Sequence, residues 1–345
     1  VKVAVIGASG YAGAQLVEIL NRHSKVSDLQ LLVSENSESS GALFSELYPR
    51  LQGVCDFPLQ PFSKNWLTAN SDLDAVFFAT PHEYSQLWAN AFVEQGTKVF
   101  DLSGAFRLPN AQDYPKYYGF EHHHQSLLDN AIYGLAEYNS NEIAGADLIA
   151  VPGCYPTASL IALKPVTDAN MHKENGLIVV NGISGVSGAG RKASLATSFN
   201  ELSLKAYNIL AHRHQPEISQ HCGSQVIFNP HIAPFKQGLL STVTLQLNDD
   251  VTEEQVVNAY QSAYQDKPLV RISKSWPQID DVANTPFANV FFKYDQDTHT
   301  LVASCAIDNL LKGAASQAVQ CFNITLGLDS QYALINDNKI GGAND

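Results

Sequence analysis

No stretch of this 345-residue chain carries the roughly 18 consecutive apolar residues of a membrane helix. No membrane partner is therefore expected. Positive charge is also scarce: 21 Lys and Arg stand against 34 Asp and Glu, a formal balance of −13. A chain of that sign does not bind nucleic acid through bulk charge. It handles an anionic substrate only where basic residues gather locally. Cysteine is sparse, with five residues, an odd number, and no C-x-x-C pair. A disulfide framework or zinc ribbon is not expected; reduced thiols in a cytoplasmic enzyme are. No basic segment and apolar core open the chain, so no secretory leader is expected. Its start on Val1 in place of Met marks a processed or renumbered chain.

What is present falls into two patterns. Over residues 1–150 short apolar runs alternate with helical stripes. The runs include Val1–Ile6, Leu29–Val33, Asp74–Thr80, Lys98–Ser103 and Asp147–Val151. That alternation predicts a Rossmann-like parallel sheet with crossover helices. Over residues 151–308 strands alternate in polarity, as in Leu239–Leu247, and a surface helix begins near Thr252. This half reads as an α+β domain with one exposed sheet face. Asn309–Phe322 is Ala-rich and helical, and residues 336–345 read as a frayed polar tail. The fold class is α/β, with one parallel-sheet domain and one α+β domain.

Gly7, Gly10 and Gly13 lie between the first strand and the first helix, with Ser9 and Tyr11 beside them. In that position glycines let the backbone approach a pyrophosphate, and the helix amides supply donors. A dinucleotide site is therefore expected here. Thr80, closing the strand Asp74–Thr80, is a further contact candidate. The second strand runs into Ser34-Glu35-Asn36-Ser37. Glu35 suits a ribose diol, whereas Ser34 and Ser37 suit a 2′-phosphate, so the residues alone leave NAD and NADP open.

Cys154 stands in Val151-Pro152-Gly153-Cys154-Tyr155-Pro156-Thr157. An apolar strand precedes it. A helix former follows, expected from Thr157 and stopped by Pro165, with Tyr155 pushed out of helical geometry by Pro156. Free amides and the dipole at a helix start favour thiolate over thiol, and the same amides can hold an oxyanion. Cys305 and Cys321 sit in apolar runs and read as structural.

His212, Arg213, His214 and Glu217 crowd into one short segment ahead of a helix. A thiol enzyme needs a proton carrier, and imidazole titrates in the right range. Glu217 is placed to orient an imidazole. Ser184–Lys192 is a second glycine-rich loop after a strand. Ser187 and Gly188 are candidate cofactor contacts there, and Arg191 and Lys192 candidate phosphate contacts, with Arg107 and Arg213 beside them. His122-His123-His124 reads as a solvated loop, since adjacent residues seldom point at one ion; no metal is expected.

Taken in order, these segments resemble the N-acetyl-gamma-glutamyl-phosphate reductase family over nearly the whole chain. GASGYAG at Gly7–Gly13, DLSGAFR at Asp101–Arg107, PGCYPTA at Pro152–Ala158, SGVSGAGRK at Ser184–Lys192 and HRHQPEI at His212–Ile218 carry the likeness. The resemblance implies a glyceraldehyde-3-phosphate-dehydrogenase-like architecture, with a Rossmann domain completed by a C-terminal helix at about 309–327. It implies Cys154 as nucleophile, NADP(H) as cofactor, Asn309 near the nicotinamide, and an acyl phosphate or semialdehyde as substrate. The acid/base is His212 or His214, with His214 preferred for its nearness to Glu217. A homo-oligomer, dimer or tetramer, is expected. One departure is the Ser34–Glu38 segment, where many relatives carry basic residues. Two rivals are an aspartate-semialdehyde dehydrogenase-type reductase and a non-catalytic dinucleotide-binding regulator.

Overall fold

The computed structural model describes residues 1–335 as two compact units. The first comprises Val1–Ala111, His122–Val151 and the chain from Ala315 onward; the second comprises Gln112–Glu121 and Pro152–Ala314. The polar tail at 336–345 lies outside the described residues.

The first unit is built on seven strands. They are β1 (Lys2–Ile6), β2 (Asp28–Ser34), β3 (Gln60–Phe62), β4 (Ala75–Phe78), β5 (Lys98–Asp101), β6 (Ile132–Tyr133) and β7 (Leu148–Ala150). Their order is β3-β2-β1-β4-β5-β7-β6, and every neighbouring pair is parallel. β4 is buried along its whole length, as a strand covered on both faces should be. The order reverses between β1 and β4, which opens a crevice at their carboxyl ends. The helix Ser316–Thr325 packs on this sheet: Phe322 meets Phe77 and Phe100 edge-on, at 5.6 and 5.8 Å between ring centroids.

The second unit adds β8 (Ile178–Gly185), β9 (Lys205–Ala206), β10 (Val226–Ala233), β11 (Leu239–Gln246), β12 (Val270–Ile272), β13 (Ala288–Asp295) and β14 (Thr300–Ile307). They form a mixed sheet, β12-β13-β14-β11-β8-β10-β9. Burial alternates along β8 and β11, so one face turns to the core. The helix Cys154–Asp168 packs on that sheet, against β11, β13 and β14.

Three local expectations are corrected. Pro165 does not stop the Cys154 helix, which runs to Asp168. A proline there leaves the Ile161 carbonyl without its helical donor. The Tyr264 hydroxyl donates to that oxygen instead, and the Tyr260 hydroxyl donates to the next, Ala162, at 2.6 Å. Tyr155 is helical too, because Cys154 begins the helix and Pro156 falls in its first turn, where N–H groups have no intrahelical acceptor. The third correction concerns the C-terminal helix. After Asp308 the chain makes a π turn at Leu311–Ala315 and becomes α-helical only from Ser316 to Thr325. Gly313 N donates to Asp308 O at 2.9 Å, the wide spacing of a π turn.

Candidate active site

The Gly7 turn behaves as a cradle. Gly7 has φ +89°, and a Cβ there would lie 2.2 Å from the Ala79 carbonyl oxygen at the end of β4. A Cβ on Gly13 would lie 2.2 Å from the Gly7 oxygen. Gly7 N and Ala8 N both donate to Leu32 O, which ties the turn to β2. The Tyr48 hydroxyl, which sequence reading missed, supports the turn from below by reaching the Ser9 and Gly10 carbonyl oxygens at 3.0 and 3.2 Å. The helix Tyr11–Asn21 has no acidic residue in its first turn, so nothing there repels a phosphate. This crevice fits a dinucleotide.

Around this turn the other candidates are placed as follows. Thr80 shares a hydrogen bond with Ser85 at 2.9 Å. Ser34 ends β2 in an exposed position, and its carbonyl accepts from Ser37 N at 2.9 Å. Arg107 is buried, and two of its donors go to main-chain oxygens: Nε to Val151 at 2.8 Å and Nη2 to Leu102 at 2.7 Å. It braces the carboxyl ends of β5 and β7. His122 is not solvated as expected: it is buried with its ring 5.4 Å from Phe106, and burial pulls its pKa down to about 4.

In the second unit, Cys154 is the first residue of its helix, behind Gly153 in an extended conformation. It is half-buried, whereas Cys55, Cys222, Cys305 and Cys321 are buried; all five are free thiols. Glu217 is fully buried, and its Oε1 accepts from Gly153 N at 2.9 Å. Glu217 belongs to the helix His214–Cys222, which begins with His214 and ends on Gly223 in the left-handed region. The carboxylate therefore ties the start of one helix to the body of another, whose own start carries the imidazole.

His212 and His214 are both buried, with ring centroids 4.7 Å apart. The Tyr155 ring stands 6.0 Å from His212 and 5.9 Å from His214. Tyr207 and Phe228 close the other sides of His212, at 5.4 and 5.3 Å. His214 N donates to His212 Nδ1 at 3.1 Å, so His212 caps the helix that His214 begins. Burial first, and the neighbouring Arg213 charge second, pull the His212 pKa down to about 4. Tyr155 was visible in the sequence but not as a site residue. Its hydroxyl donates to His231 O at 2.7 Å, and burial, Tyr207 and Cys154 push its pKa up. Its ring is pressed on Gly182, where a Cβ would sit 2.5 Å from Cδ1.

Asn309 is committed to the protein. Its Oδ1 accepts from Gly238 N at 2.7 Å and its Nδ2 donates to Ser187 Oγ at 3.0 Å. It pins the loop bearing Ser187 and Gly188. Arg191 and Lys192 lie further along that loop, exposed, and Arg213 is exposed as well. The structure thus gathers Cys154, His212, His214 and Glu217, while Arg191, Lys192 and Arg213 remain at the surface and Arg107 is buried on main-chain oxygens.

Comparison with known proteins agrees with this layout. The description "Semialdehyde dehydrogenase, NAD binding domain" matches residues 2–146, and "Semialdehyde dehydrogenase, dimerisation domain" matches residues 154–309. An N-acetyl-gamma-glutamyl-phosphate reductase of Pseudoalteromonas atlantica is 47% identical over 98% of this chain and 99% of its own. One of Escherichia coli is 49% identical over 96% and 98%. Among solved structures, aspartate semialdehyde dehydrogenase II of Vibrio cholerae superposes with a TM-score of 0.71 at 20% identity, covering 94% of this chain and 98% of its own. Aspartate semialdehyde dehydrogenase with NADP from Candida albicans gives 0.64 at 14% identity, over 94% and 99%; these two show the shared fold. The chain belongs to the N-acetyl-gamma-glutamyl-phosphate reductase family.

Proposed function

We propose that this protein reduces N-acetyl-L-glutamyl 5-phosphate to the 5-semialdehyde and phosphate, reversibly, in arginine biosynthesis, through a thioester on Cys154. One observation carries the reading. The thiol begins a helix whose capping amide is held by Glu217, and Glu217 rides on the helix that His214 begins. The sulfur attacks the carbonyl carbon of the acyl phosphate, the bond to the phosphate oxygen breaks, and phosphate leaves with the electron pair. The amides of the Cys154 helix start stabilise the oxyanion on the way. The Gly7–Gly13 turn would hold a nicotinamide dinucleotide, whose chemistry when bound would be to supply a hydride for the acyl carbon. The oxygen of the thiohemiacetal so formed takes its proton from His214, which removes it again as the carbon–sulfur bond breaks and the aldehyde and the Cys154 thiolate are released.

Of the two imidazoles, His214 is assigned as the acid/base. His212 accepts a main-chain N–H on Nδ1, so its proton sits on Nε2, and with a pKa near 4 it stays neutral at pH 7. That is a scaffold, not a proton shuttle. NADPH is assigned as the reductant, with Ser34 and Ser37 beside the 2′-phosphate. Arg107, Arg191, Lys192 and Arg213 are candidates for anion contacts in the bound state. Five free thiols suit a reducing cytoplasm, and the match to a dimerisation domain favours a homo-oligomer.

The assay follows nicotinamide absorbance with the semialdehyde and phosphate in the oxidative direction. Cys154→Ser is expected to abolish turnover while dinucleotide binding persists. Near wild-type turnover in that variant overturns the mechanism. A higher kcat/KM with NAD+ than with NADP+ overturns the cofactor assignment alone.

A further inference from the structure

The mechanism leaves unused a fully buried carboxylate beside the nucleophile's helix. Asp308 follows β14 and is 0% exposed. Its Oδ1 accepts from Leu310 N at 2.9 Å and Leu311 N at 3.0 Å. Its Oδ2 accepts from Asn284 N at 2.7 Å and Gln237 Nε2 at 2.6 Å. Burying a carboxylate is costly, and its pKa is pushed up by that burial; these four donors offset the cost. A buried anion so fully engaged fixes the geometry of what it touches.

It touches the turn that walls Cys154. The Asp308 carbonyl also accepts from Gly313 N at 2.9 Å, closing the π turn. A Cβ on Gly313 would lie 2.7 Å from Cys154 Cβ and 3.1 Å from its Cα. The Gly313 backbone therefore lies directly against the nucleophile's Cα–Cβ bond. A first helical residue has few helical bonds of its own to fix it. Cys154 needs outside walls, and Glu217 supplies one through Gly153.

We propose that Asp308 is a positioning residue for Cys154. By capping the π turn it holds the Gly313 backbone against the Cys154 Cβ, and so keeps the sulfur at the helix start where thiolate is favoured. The carboxylate anchors the start of the turn through the Leu310 and Leu311 amides, as an N-cap carboxylate does. Only glycine at 313 lets the backbone come this close. This rests on Cys154 being the nucleophile, as proposed above.

The test uses the full chain and three measurements: steady-state kinetics, dinucleotide binding, and the pH profile of iodoacetamide alkylation at Cys154. Asp308→Asn turns an amide N–H₂ toward two donors in place of one oxygen. The expected result is a kcat lower by about a hundredfold, the scale of a slightly misplaced reacting group. KM and dinucleotide affinity stay close to wild type, and the alkylation midpoint moves to higher pH. Asp308→Asn with Gln237→Glu returns an acceptor facing the new amide and restores part of kcat. A folded Asp308→Asn protein with wild-type kcat and an unmoved midpoint overturns the proposal, as does a loss of melting temperature alone. If that variant does not fold, Gln237→Leu decides, since it removes a single donor: a moved midpoint supports the proposal and an unmoved one overturns it. Cys154→Ser run in parallel separates the two levels. If it stays active, the thioester reading fails; if it is dead while the Asp308 variants behave as wild type, only the positioning role fails.

Discussion

At the scale of the residue, His212 and His214 carry the sharpest division of labour. They are two positions apart, both buried, and chemically identical. Sequence reading could not separate them, because the difference lies in what each ring faces. His212 Nδ1 is spent on the His214 amide, and its pKa near 4 keeps it neutral. An Asn at 212 offers an oxygen for the same amide, so His212→Asn is expected to cost ~1 kcal/mol, as a weakened helix cap does. His214→Asn removes the proton carrier and is expected to lower kcat by about 10²- to 10⁴-fold. Measuring kcat for both variants at pH 7 checks this. Equal losses would return the assignment to an open choice. Glu217 accepts from the Gly153 amide, a contact no spacing rule reveals, since 64 residues separate the pair.

Elements were legible where a short-range rule governs them. The β1–turn–helix unit was readable because three glycines at fixed spacing have one backbone use. The surface helix after Thr252 was readable because Thr252 and Gln255 form a capping box. Failures came where a distant partner overrules the local rule. Pro165 reads as a stop, and the donor that it cannot give the Ile161 carbonyl comes from Tyr264, 103 residues on from Ile161. The π turn at Leu311–Ala315 reads as plain helix because no local rule in the sequence marks the Gly313 N to Asp308 carbonyl bond that closes it. Even within the glycine turn the sequence treats three positions alike, and the structure does not. A Cβ on Gly10 comes only within 3.4 Å of the Gly7 oxygen, against 2.2 Å on Gly13. Gly13→Ala is expected to cost about 2 kcal/mol of stability and to weaken dinucleotide binding, because backbone must shift. Gly10→Ala should keep stability close to wild type. Urea midpoints and a dinucleotide titration on both variants compare them, and a tolerant Gly13 would show that the turn is looser than its contacts imply.

For the molecule as a whole, acid acts through opposing groups. The −13 balance means that protonation relieves repulsion, but exposed charges are screened beyond about 8 Å at physiological salt. Ordinary carboxylates also stay ionised until near pH 4. Buried imidazoles respond earlier. His122 and His212 are held to a pKa of about 4 and His23 is lowered too, in each case chiefly by burial. Unfolded, all three protonate near pH 6.5. Between about pH 6.5 and 4 the unfolded chain therefore binds more protons, so these groups make stability rise with pH and fall on acidification. His122 and His212 each contribute at most about 1.4 kcal/mol per pH unit within that window, and His23 acts in the same direction. Asp101 and Asp308, pushed up by burial, take up protons earlier in the folded chain and oppose the trend. The clean readout is consequently a difference. Melting temperatures of wild type and His122→Gln, recorded from pH 7.5 to 5, should keep a constant separation above about pH 6.5 and shift against each other below it, with the wild type losing more, because the wild type alone carries the His122 penalty as acid is added. Parallel curves would mean that His122 protonates inside the fold as readily as outside it, which its packing against Phe106 argues against.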